Sequence, residues 1–284
     1  MLGQILFPLA RRFVSGHTVE EAISAVRKLN ELRMTATLDV LGENVAEKTT
    51  AEAAVANYLG TLDAIRESDI RANLSLKLTQ MGLDINRGFC LSNLARICER
   101  AAAFQCFVRI DMEGSEYTQP TLDLFYELYR SNKNVGIVVQ AYLHRSQEDT
   151  RQLIDAGARV RLCKGAYKEP RTIALQEMPE IRRNFKKIAQ PLLLNGHYPA
   201  IATHDDELIS WVKSFTASHG IGKEKFEFQM LYGVRPGTQR KLAAEGYNMR
   251  VYVPYGTHWL PYFYRRLRER RENVTFVLKN LFKV

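Results

Sequence analysis

Short apolar runs alternate with longer amphipathic stretches along most of the chain. Eight of these runs are rich in β-branched residues or alternate between apolar and polar positions, a pattern that predicts β-strands. They cover residues 36–41, 73–78, 106–111, 136–141, 159–164, 200–203, 226–231 and 250–253. Apolar residues spaced by three and four predict helices at 18–34, 51–66, 91–103, 121–130, 147–156, 171–194, 205–219 and 237–245. Strands that alternate with helices indicate βαβ units and a parallel sheet.

Local signals mark where several of these elements begin and end. Thr18 followed by Glu21 has the spacing of a capping box, which predicts the start of the first helix. Pro254 and Gly256 are expected to end the last strand. A final helix is predicted after Pro261, because proline suits the first turn of a helix and no later glycine or proline interrupts it.

Eight strand–helix units in about 250 residues match the size of a closed (β/α)8 barrel. We therefore predict an α/β fold: a TIM-like (β/α)8 barrel at residues 36–284, preceded by an N-terminal helical extension at residues 1–35. The final helix would lie over the mouth of this barrel. No linker-like or low-complexity stretch divides the chain. A doubly wound open sheet is the main alternative fold.

The composition is ordinary for a globular protein, but the charge balance is basic. Lys and Arg outnumber Asp and Glu by 40 to 31, which gives a net charge of +9. This excess favours an anionic ligand, nucleic acid or an anionic membrane surface, and it does not choose among them.

The cysteines and histidines do not have the spacing of a metal or redox site. The four Cys residues lack a C-x-x-C pair, so free thiols in a reducing cytoplasm are expected. The six His residues lack the H-E-x-x-H pattern, which argues against a zinc hydrolase. No run approaches the ~20 apolar residues of a membrane span. Arg11 and Arg12 follow the apolar N-terminus, the wrong order for a signal peptide. We therefore predict a cytoplasmic protein without a metal.

Polar residues recur near the carboxyl end of every predicted strand. In a parallel barrel these ends meet at one mouth, where the chemistry of such folds takes place. The residues concerned are Glu43, Lys77, Asp111, Gln140, Arg161, Lys164, Thr203, His204, Gln229 and Tyr255. A lone polar strand residue is usually a satisfied core group. Burying one on every strand would be costly unless they met a ligand or one another, so the pattern predicts a site at the mouth.

The predicted final helix carries Tyr262, Arg265, Arg266 and Glu269 at offsets of three and four, so these residues share one face. Arginine presents a planar fork of donors that matches a carboxylate or a phosphate. Two adjacent arginines beside a strand end could therefore bind an acidic ligand. The alternative is an exposed helix face on which Arg265 and Glu269 form an ordinary surface ion pair.

The segment Lys164-Gly-Ala-Tyr167 leaves the fifth predicted strand with a glycine. Glycine lets the backbone approach a cofactor closely and turn its N–H groups toward phosphate. Neither a G-x-G-x-x-G motif after a strand nor a P-loop motif is present. Rossmann-type and P-loop nucleotide binding are therefore not supported.

Taken in order, these motifs resemble those of the proline dehydrogenase family, flavoenzymes that oxidise L-proline to Δ1-pyrroline-5-carboxylate in the first step of proline catabolism. The resemblance covers nearly the whole chain and includes the closing motif Tyr262-x-x-Arg265-Arg266-Leu-x-Glu269. The other segments that carry it are 41–43, 76–79, 109–113, 140–143, 161–167, 203–205, 229–233 and 254–256. The size is similar to that of the short monofunctional bacterial members.

The resemblance implies how the substrate would be bound. Arg265, Arg266 and Lys77 would hold the carboxylate of proline, with Asp111 as an acidic partner near Lys77. The side chains implied to enclose the proline ring are Tyr167, Leu231, Tyr255 and Tyr262. In the family a bulky residue at the position of Tyr255 goes with proline and a smaller one admits hydroxyproline, so proline is the expected substrate.

The resemblance also implies an FAD site and a gate. Arg161 would lie near the hydride-accepting nitrogen of the flavin, and Arg161 and Asp111 are the expected catalytic residues. The other residues implied to contact FAD are Met112, Gln140, Lys164, Gly165, Ala166, Thr203, His204, Gln229 and Glu269. Glu43 would pair with Arg265 in the empty site and release it when the substrate binds.

In this family the reduced flavin passes its electrons to a membrane quinone, which implies contact with a membrane. The apolar N-terminus and the tail at 274–284 are the two segments that could lie on the inner face of the cell membrane. Simple packing of the tail on the barrel is the alternative. No dedicated protein partner is indicated.

Two other functions compete with this one. A Schiff-base lyase could use Lys77 or Lys164, since lysines at strand ends do that work in other barrels. A nucleic-acid-binding protein could use the basic segment 265–271, but no recognised nucleic-acid module accompanies it, so no nucleic-acid partner is expected.

Overall fold

A computed structural model describes residues 7–269, with the side chains of Arg268 and Glu269 left out. The described chain forms eight parallel strands in one closed barrel. The strands are β1 (Thr35–Val40), β2 (Ala72–Leu76), β3 (Val108–Ile110), β4 (Val135–Gln140), β5 (Val160–Cys163), β6 (Ala200–Ala202), β7 (Glu227–Leu231) and β8 (Asn248–Tyr255). Because β1 pairs with both β2 and β8, the sheet has no edge. The predicted barrel is confirmed, and the open-sheet alternative is wrong.

Helices separate the strands in the predicted order. They are α1 (Val19–Glu31), α2 (Lys48–Ser68), α3 (Arg87–Ala103), α4 (Thr118–Tyr129), α5 (Ser146–Asp155), α6 (Met178–Asn195), α7 (Asp206–Ser218), α8 (Pro236–Ala244) and α9 (Leu260–Glu269). The predicted capping box of α1 is present, since the Thr18 hydroxyl accepts from the Glu21 N–H and the Glu21 carboxylate accepts from the Thr18 N–H. Among the described residues, none of these helices is long and apolar enough to cross a membrane.

The two faces of the barrel strands differ in polarity. Leu38, Leu162 and Val251 face the surrounding helices and are fully buried in the main hydrophobic core. The residues beside them along these strands turn inward, and three of these are charged: Asp39, Arg161 and Arg250. Inside the barrel Arg250 donates to both carboxylate oxygens of Glu227 at 3.0 Å. The barrel interior therefore holds paired charges, while the apolar core lies between strands and helices.

Helix α1 takes the place that a regular barrel gives to the helix after its eighth strand, and α9 lies elsewhere. The buried residues of α1, among them Ile23 and Val26, join the core, and the helix packs against β1, β8 and α2. It thereby covers the outer surface where the eighth barrel helix would lie. Helix α9 instead packs through Phe263 on Leu41 and Val234, which lie in the loops after β1 and β7. The final helix therefore lies over the carboxyl ends of the strands.

Strand β8 does not end at Pro254, contrary to the prediction from its sequence. Pro254 pairs with Asp39 in the ladder with β1, and the strand continues to Tyr255. The pairing of β7 with β8 ends where Leu231 lies opposite Tyr252, so no neighbouring strand needs an N–H at Pro254. Its carbonyl accepts from the N–H of Ser15 at 2.9 Å.

Helix α6 begins at Met178, later than the predicted start at residue 171. The preceding segment is held by other backbone hydrogen bonds. Leu175 N–H donates to the carbonyl of Tyr142 at 2.8 Å, and His144 N–H donates to the carbonyl of Ile173 at 3.0 Å. This pairing with the loop after β4 competes with helix formation and keeps residues 173–175 outside the helix.

Replacing Gly60 by Ala should stabilise the fold. Gly60 lies inside α2, and an added Cβ would meet nothing within 4 Å. Because glycine in a helix interior is less favourable than alanine, we expect Gly60→Ala to raise the free energy of unfolding by about 0.5–1 kcal/mol. Urea unfolding measures the change. The reciprocal control is Ala56→Gly at an exposed position of the same helix. This variant should lower the free energy of unfolding by a similar amount.

Candidate active site

A buried ion pair lies at the carboxyl ends of β1 and β2. Lys77, directly after β2, places its Nζ 3.3 Å from both carboxylate oxygens of Asp39 in β1. The side chains are 8% and 0% exposed. Burial would lower the pKa of Lys77, but the carboxylates of Asp39 and Asp111 outweigh it and raise that pKa. Lys77 is therefore a fixed ammonium group, which disfavours it as a Schiff-base nucleophile because that role needs a lowered pKa.

Asp111 has a different partner from the one that the resemblance implied. Its carboxylate accepts hydrogen bonds from Ser75 at 2.5 Å, from Tyr252 at 2.8 Å and from Arg161 at 2.6 Å. The ion-pair partner of Lys77 is Asp39, and Asp111 acts on Lys77 only as a nearby charge. Three donors on one carboxylate fix Arg161 inside the barrel with its guanidinium below the mouth.

Helix α9 brings an arginine to the same mouth. Arg265 donates to both carboxylate oxygens of Glu43 in the loop after β1, at 2.8 and 3.1 Å. The two side chains are 29% and 24% exposed. The guanidinium of Arg266 lies 5.1 Å from the ring centre of Tyr262, and both residues are buried. The shared helix face predicted for Tyr262, Arg265 and Arg266 is thus turned toward the barrel and is not a solvated surface.

A cavity of about 880 Å³ joins these groups. Lys77, Arg265, Tyr255 and Tyr262 line it, together with Glu43. The cavity extends outward along α2 and the loop before α1. It therefore brings a cation from the end of β2 and a cation from α9 to one cavity, as a site for a small carboxylate requires.

The other residues implied to contact the substrate lie around the same mouth, but Tyr167, Leu231 and Arg266 are not among the described residues that line the cavity. Tyr167 follows β5; burial raises its pKa, and the charges of Lys77 and Arg265 act on it. Leu231 is the last residue of β7 and is half-buried. Tyr255 ends β8, and its hydroxyl lies 2.5 Å from that of Thr61 in α2. The four side chains implied to enclose a proline ring come from four different elements and approach the mouth from different sides.

A second group of predicted residues lies at the ends of β4, β5 and β6. Gln140 is buried and donates to the carbonyl of Glu113 at 2.9 Å. Lys164 Nζ lies 3.0 Å from the carboxylate of Asp205. Thr203 accepts from the Asp205 N–H at 3.1 Å, and the His204 Nε2 accepts from the N–H of Leu231 at 2.9 Å. These contacts order the side of the mouth opposite α2.

Gly165 is a position at which only glycine fits. Its φ is +114°, and an added Cβ would overlap the ring of Tyr142. Gly165 is half-buried and Ala166 is exposed, so small residues leave the mouth open beside Lys164. The Nε of Arg161 is buried without a hydrogen-bond partner. An open turn of small residues next to two cations fits a phosphate-bearing cofactor such as FAD.

Two predicted cofactor residues, Gln229 and Met112, are placed differently. Gln229 is two residues before the end of β7, not at its end, and donates to Glu227 at 2.5 Å. Met112 is buried in the main hydrophobic core. The side chain of Glu269 lies outside the part of the chain that the structure describes. No group of carboxylates, cysteines and histidines among the described residues could hold a metal ion.

Several residues of the site were missed by the sequence analysis. Asp39 could have been identified from the sequence, because it is the one charged residue in β1. Tyr252 alternates with the core residues Val251 and Val253, so its position inside the barrel could have been inferred from the strand pattern. Thr61 and the buried Glu113, which accepts from the Thr79 hydroxyl at 2.6 Å, come from a helix and a loop and have no such signal.

Asp205 should stabilise the protein only while it is ionised. It caps α7 and pairs with Lys164 at 3.0 Å and Arg182 at 2.8 Å. Burial would raise the pKa of Asp205, but Arg182 and Lys164 outweigh it and lower that pKa. A lowered carboxyl pKa contributes stability above the unfolded value of about 3.9, and this contribution is lost as the pH falls through the folded value.

We therefore expect Asp205→Asn to lower the free energy of unfolding by about 1 kcal/mol at neutral pH, since the pair is partly exposed. The free energies of unfolding of the variant and the wild type should become equal at acid pH. Urea unfolding across this pH range measures the effect. Asp155→Asn is the control, because Asp155 forms an exposed pair with Arg151. A difference that persists in acid would contradict the assignment of the effect to charge.

A closed parallel barrel whose mouth gathers cations, tyrosines and an open glycine turn defines a barrel-fold enzyme with a small anionic substrate. The chain belongs to the proline dehydrogenase family, since the sequence model of that family, "Proline dehydrogenase", matches residues 22–279. It is thus an oxidoreductase acting on CH–NH donors. Dehydrogenation of proline, the activity of this family, is the first step of proline catabolism.

Similar proteins cover almost the whole chain. Proline dehydrogenase 1 of Bacillus subtilis (strain 168) is 43% identical over 274 residues, which are 96% of this chain and 91% of the relative. Proline dehydrogenase of Deinococcus radiodurans is 37% identical over 285 residues, which are 99% of this chain and 92% of the relative. Among solved structures, proline utilization A from Bdellovibrio bacteriovorus inactivated by N-propargylglycine has a TM-score of 0.87 and 26% identity. The match covers 94% of this chain but 33% of that longer protein.

Proposed function

We propose that this enzyme oxidises L-proline to Δ1-pyrroline-5-carboxylate by hydride transfer to FAD and passes the electrons to a membrane quinone. The observation that carries the proposal is the cavity in which Lys77 and Arg265 meet beside Tyr255 and Tyr262. The loop that contains the glycine turn at Gly165 also carries Tyr167, on which the charges of Lys77 and Arg265 act.

The cations would hold the carboxylate of proline. Arg265 offers a two-point contact, which it makes with Glu43 at 2.8 and 3.1 Å, and a substrate carboxylate can take the place of that partner. Lys77 contributes a buried positive charge fixed by Asp39. Arg266 lies one position further along α9. Holding the carboxylate at several points orients the ring and supplies the advantage of proximity.

Glu43 would act as the gate of this site. In the absence of substrate its carboxylate neutralises Arg265, so the guanidinium is not left uncompensated in a half-buried place. A bound carboxylate would take over the guanidinium and release Glu43 with its loop. The exchange of one carboxylate for another keeps the charge of the site balanced.

The residues implied to hold FAD lie on the other side of the mouth. Lys164, Gly165 and Ala166 would approach its phosphates, and Thr203 and His204 would support them from β6. Gln140 and Arg161 would face the flavin ring, with Arg161 held in place by Asp111. Bound FAD would supply the hydride acceptor. A guanidinium at its pyrimidine edge stabilises negative charge there.

A cationic site also suits the protonation state that the reaction needs. The ring nitrogen of proline must be unprotonated before the hydride leaves the neighbouring carbon. Lys77 and the arginines disfavour a further ammonium charge between them and so lower the pKa of the bound amine. The tyrosine and leucine walls keep water from the reacting carbon.

The contact with a membrane quinone is proposed from the terminal segments alone. The first six residues and the tail at 274–284 lie outside the described residues, so their contact with the membrane stays a prediction. Co-sedimentation with anionic vesicles, compared between the intact protein and a chain ending at Asn273, tests it. Equal sedimentation would reject a membrane role for the tail.

The other two functions fit the structure less well. The raised pKa of Lys77 opposes a Schiff-base mechanism at that residue. Arg265 is paired with Glu43 and Arg266 is buried, so neither is displayed to a nucleic-acid backbone. Residues 270–271 of the basic segment lie outside the described part of the chain.

Mass spectrometry tests the proposal. The purified enzyme, denatured, should release FAD, and incubation with L-proline and an artificial quinone should yield a product lighter by two hydrogens. Borohydride added during turnover should not attach the substrate to the protein. A covalent adduct with a carbonyl substrate, on a protein that releases no flavin, would contradict the proposal and favour the lyase.

A further inference from the structure

Helix α2 lies outside the barrel, yet two of its side chains reach the mouth. Tyr58 and Thr61 are three residues apart and share the inward face. The Tyr58 hydroxyl lies 3.1 Å from the side-chain oxygen of Gln80 and 3.5 Å from Asp39. The Thr61 hydroxyl lies 2.5 Å from the hydroxyl of Tyr255. A helix without a predicted role therefore contacts the floor and one wall of the cavity.

The direction of the Thr61–Tyr255 hydrogen bond can be deduced. The Thr61 hydroxyl also lies 2.6 Å from the carbonyl of Asn57, which can only accept. Because a threonine hydroxyl has one hydrogen, it donates to Asn57 and accepts from Tyr255. Burial raises the pKa of Tyr255 to about 12, so the phenol keeps the proton that it donates. Tyr255 is thereby tied to a fixed point of α2.

The Tyr255 ring is buried in the main hydrophobic core and also lines the cavity. The cavity that contains Lys77 continues past Tyr255 to Asn57 and Gly60 on α2. Gly60 has no side chain, and nothing lies within 4 Å of where its Cβ would be. The cavity therefore continues from Tyr255 along α2, and the hydrogen bond to Thr61 holds the hydroxyl end of the ring on that side.

We propose that Thr61 is a positioning residue for substrate choice: by anchoring the Tyr255 hydroxyl, it keeps the wall of the proline pocket closed to substrates with a substituted ring. The inference rests on the proposed function, in which Tyr255 contacts the proline ring. Without the anchor the ring can turn into the space beside α2, and a hydroxyl on the substrate ring then fits.

Thr61→Val removes the acceptor at nearly constant volume and leaves the phenol without its partner. The measurement is kcat/KM for L-proline divided by kcat/KM for trans-4-hydroxy-L-proline. A pocket discriminates against an added hydroxyl by about a hundredfold at most, so we expect Thr61→Val to lower this ratio by about tenfold. Thr61→Ser keeps the hydroxyl and should restore the ratio. The KM for proline should rise more than kcat falls.

A double-mutant cycle separates this role from general damage. Tyr255→Phe breaks the same hydrogen bond from the other side and should lower the ratio in the same direction. Because both changes remove one interaction, the double variant should be no worse than the poorer single variant. Effects that multiply would show two independent causes and overturn the proposal.

Thermal unfolding and flavin absorbance verify that each variant is folded. If Thr61→Val does not fold, Tyr255→Phe alone still tests the hydrogen bond, and an unchanged ratio overturns the inference. A wild-type enzyme that oxidises proline, with a Thr61→Val variant of unchanged ratio, rejects the role of Thr61 and leaves the proposed function standing. A folded wild-type protein that does not oxidise proline rejects the proposed function itself.

Discussion

Replacing Arg265 by Met should raise the KM for L-proline steeply while the purified protein keeps its flavin. A charge-assisted hydrogen bond contributes about 1.5–3 kcal/mol, which corresponds to roughly a tenfold to hundredfold change in binding. Arg266→Met should act in the same direction. The flavin should be retained because most of the residues implied to hold it lie at the ends of β4, β5 and β6, and Glu269, the implied FAD residue on α9, is unchanged in both variants. Steady-state kinetics and the visible spectrum measure both effects.

The control for this experiment is Arg240→Met, since Arg240 is exposed on α8 and touches neither group of site residues. Its KM should stay that of the wild type. If Arg265→Met and Arg266→Met left the KM unchanged as well, the carboxylate clamp would be rejected. Loss of flavin from either variant would indicate that α9 supports the cofactor as well as the substrate.

Replacing Asp39 by Asn should destabilise the whole fold. Asp39 is fully buried and holds Lys77 through two contacts of 3.3 Å. Removing one partner of a buried pair leaves an uncompensated charge, and we expect the free energy of unfolding to fall by about 3–5 kcal/mol. Chemical denaturation at neutral pH measures the loss. Asp63→Asn is the matched control, because its pair with Arg100 is exposed and should contribute about 0–1 kcal/mol.

The pH dependence of this loss has a definite sign. Lys77 has a raised pKa in the folded state, so its contribution to stability is present below the unfolded value of about 10.4 and is lost as the pH rises through the folded value. The difference between wild type and Asp39→Asn should therefore be full at neutral pH and shrink in strong alkali. It should also shrink in acid, because burial raises the pKa of Asp39 and a protonated Asp39 resembles Asn. A loss no larger than that of Asp63→Asn would show that Asp39 does not stabilise Lys77.

The barrel could be predicted because its signals are local and repeated. Each strand has its own apolar pattern. Short connections between consecutive elements place successive strands side by side in a parallel sheet. Pro254 was misjudged because whether a proline fits a strand depends on the neighbouring strand, and β7 stops pairing before reaching it. The start of α6 was misjudged because Leu175 and His144 form hydrogen bonds between two loops that no local pattern describes.

The active site likewise contains some residues that the sequence identifies and others that only the fold reveals. Lys77 and Arg265 could be named from sequence because strand ends and helix faces follow fixed periods. The partner of Lys77 could not, since choosing between Asp39 and Asp111 requires the register of three strands. The contact between Thr61 and Tyr255 joins residues 194 positions apart and depends on where α2 packs. Side chains that act across elements are visible only after the fold brings them together.

Anaerobic addition of substrate to the purified enzyme tests the central claim most directly. L-Proline and L-prolinamide share the ring and the hydrogen to be removed, but prolinamide lacks the carboxylate that Lys77, Arg265 and Arg266 are proposed to hold. The flavin absorption should bleach with L-proline and remain with L-prolinamide at the same concentration. Absence of a flavin spectrum, or equal bleaching by both compounds, would contradict the account.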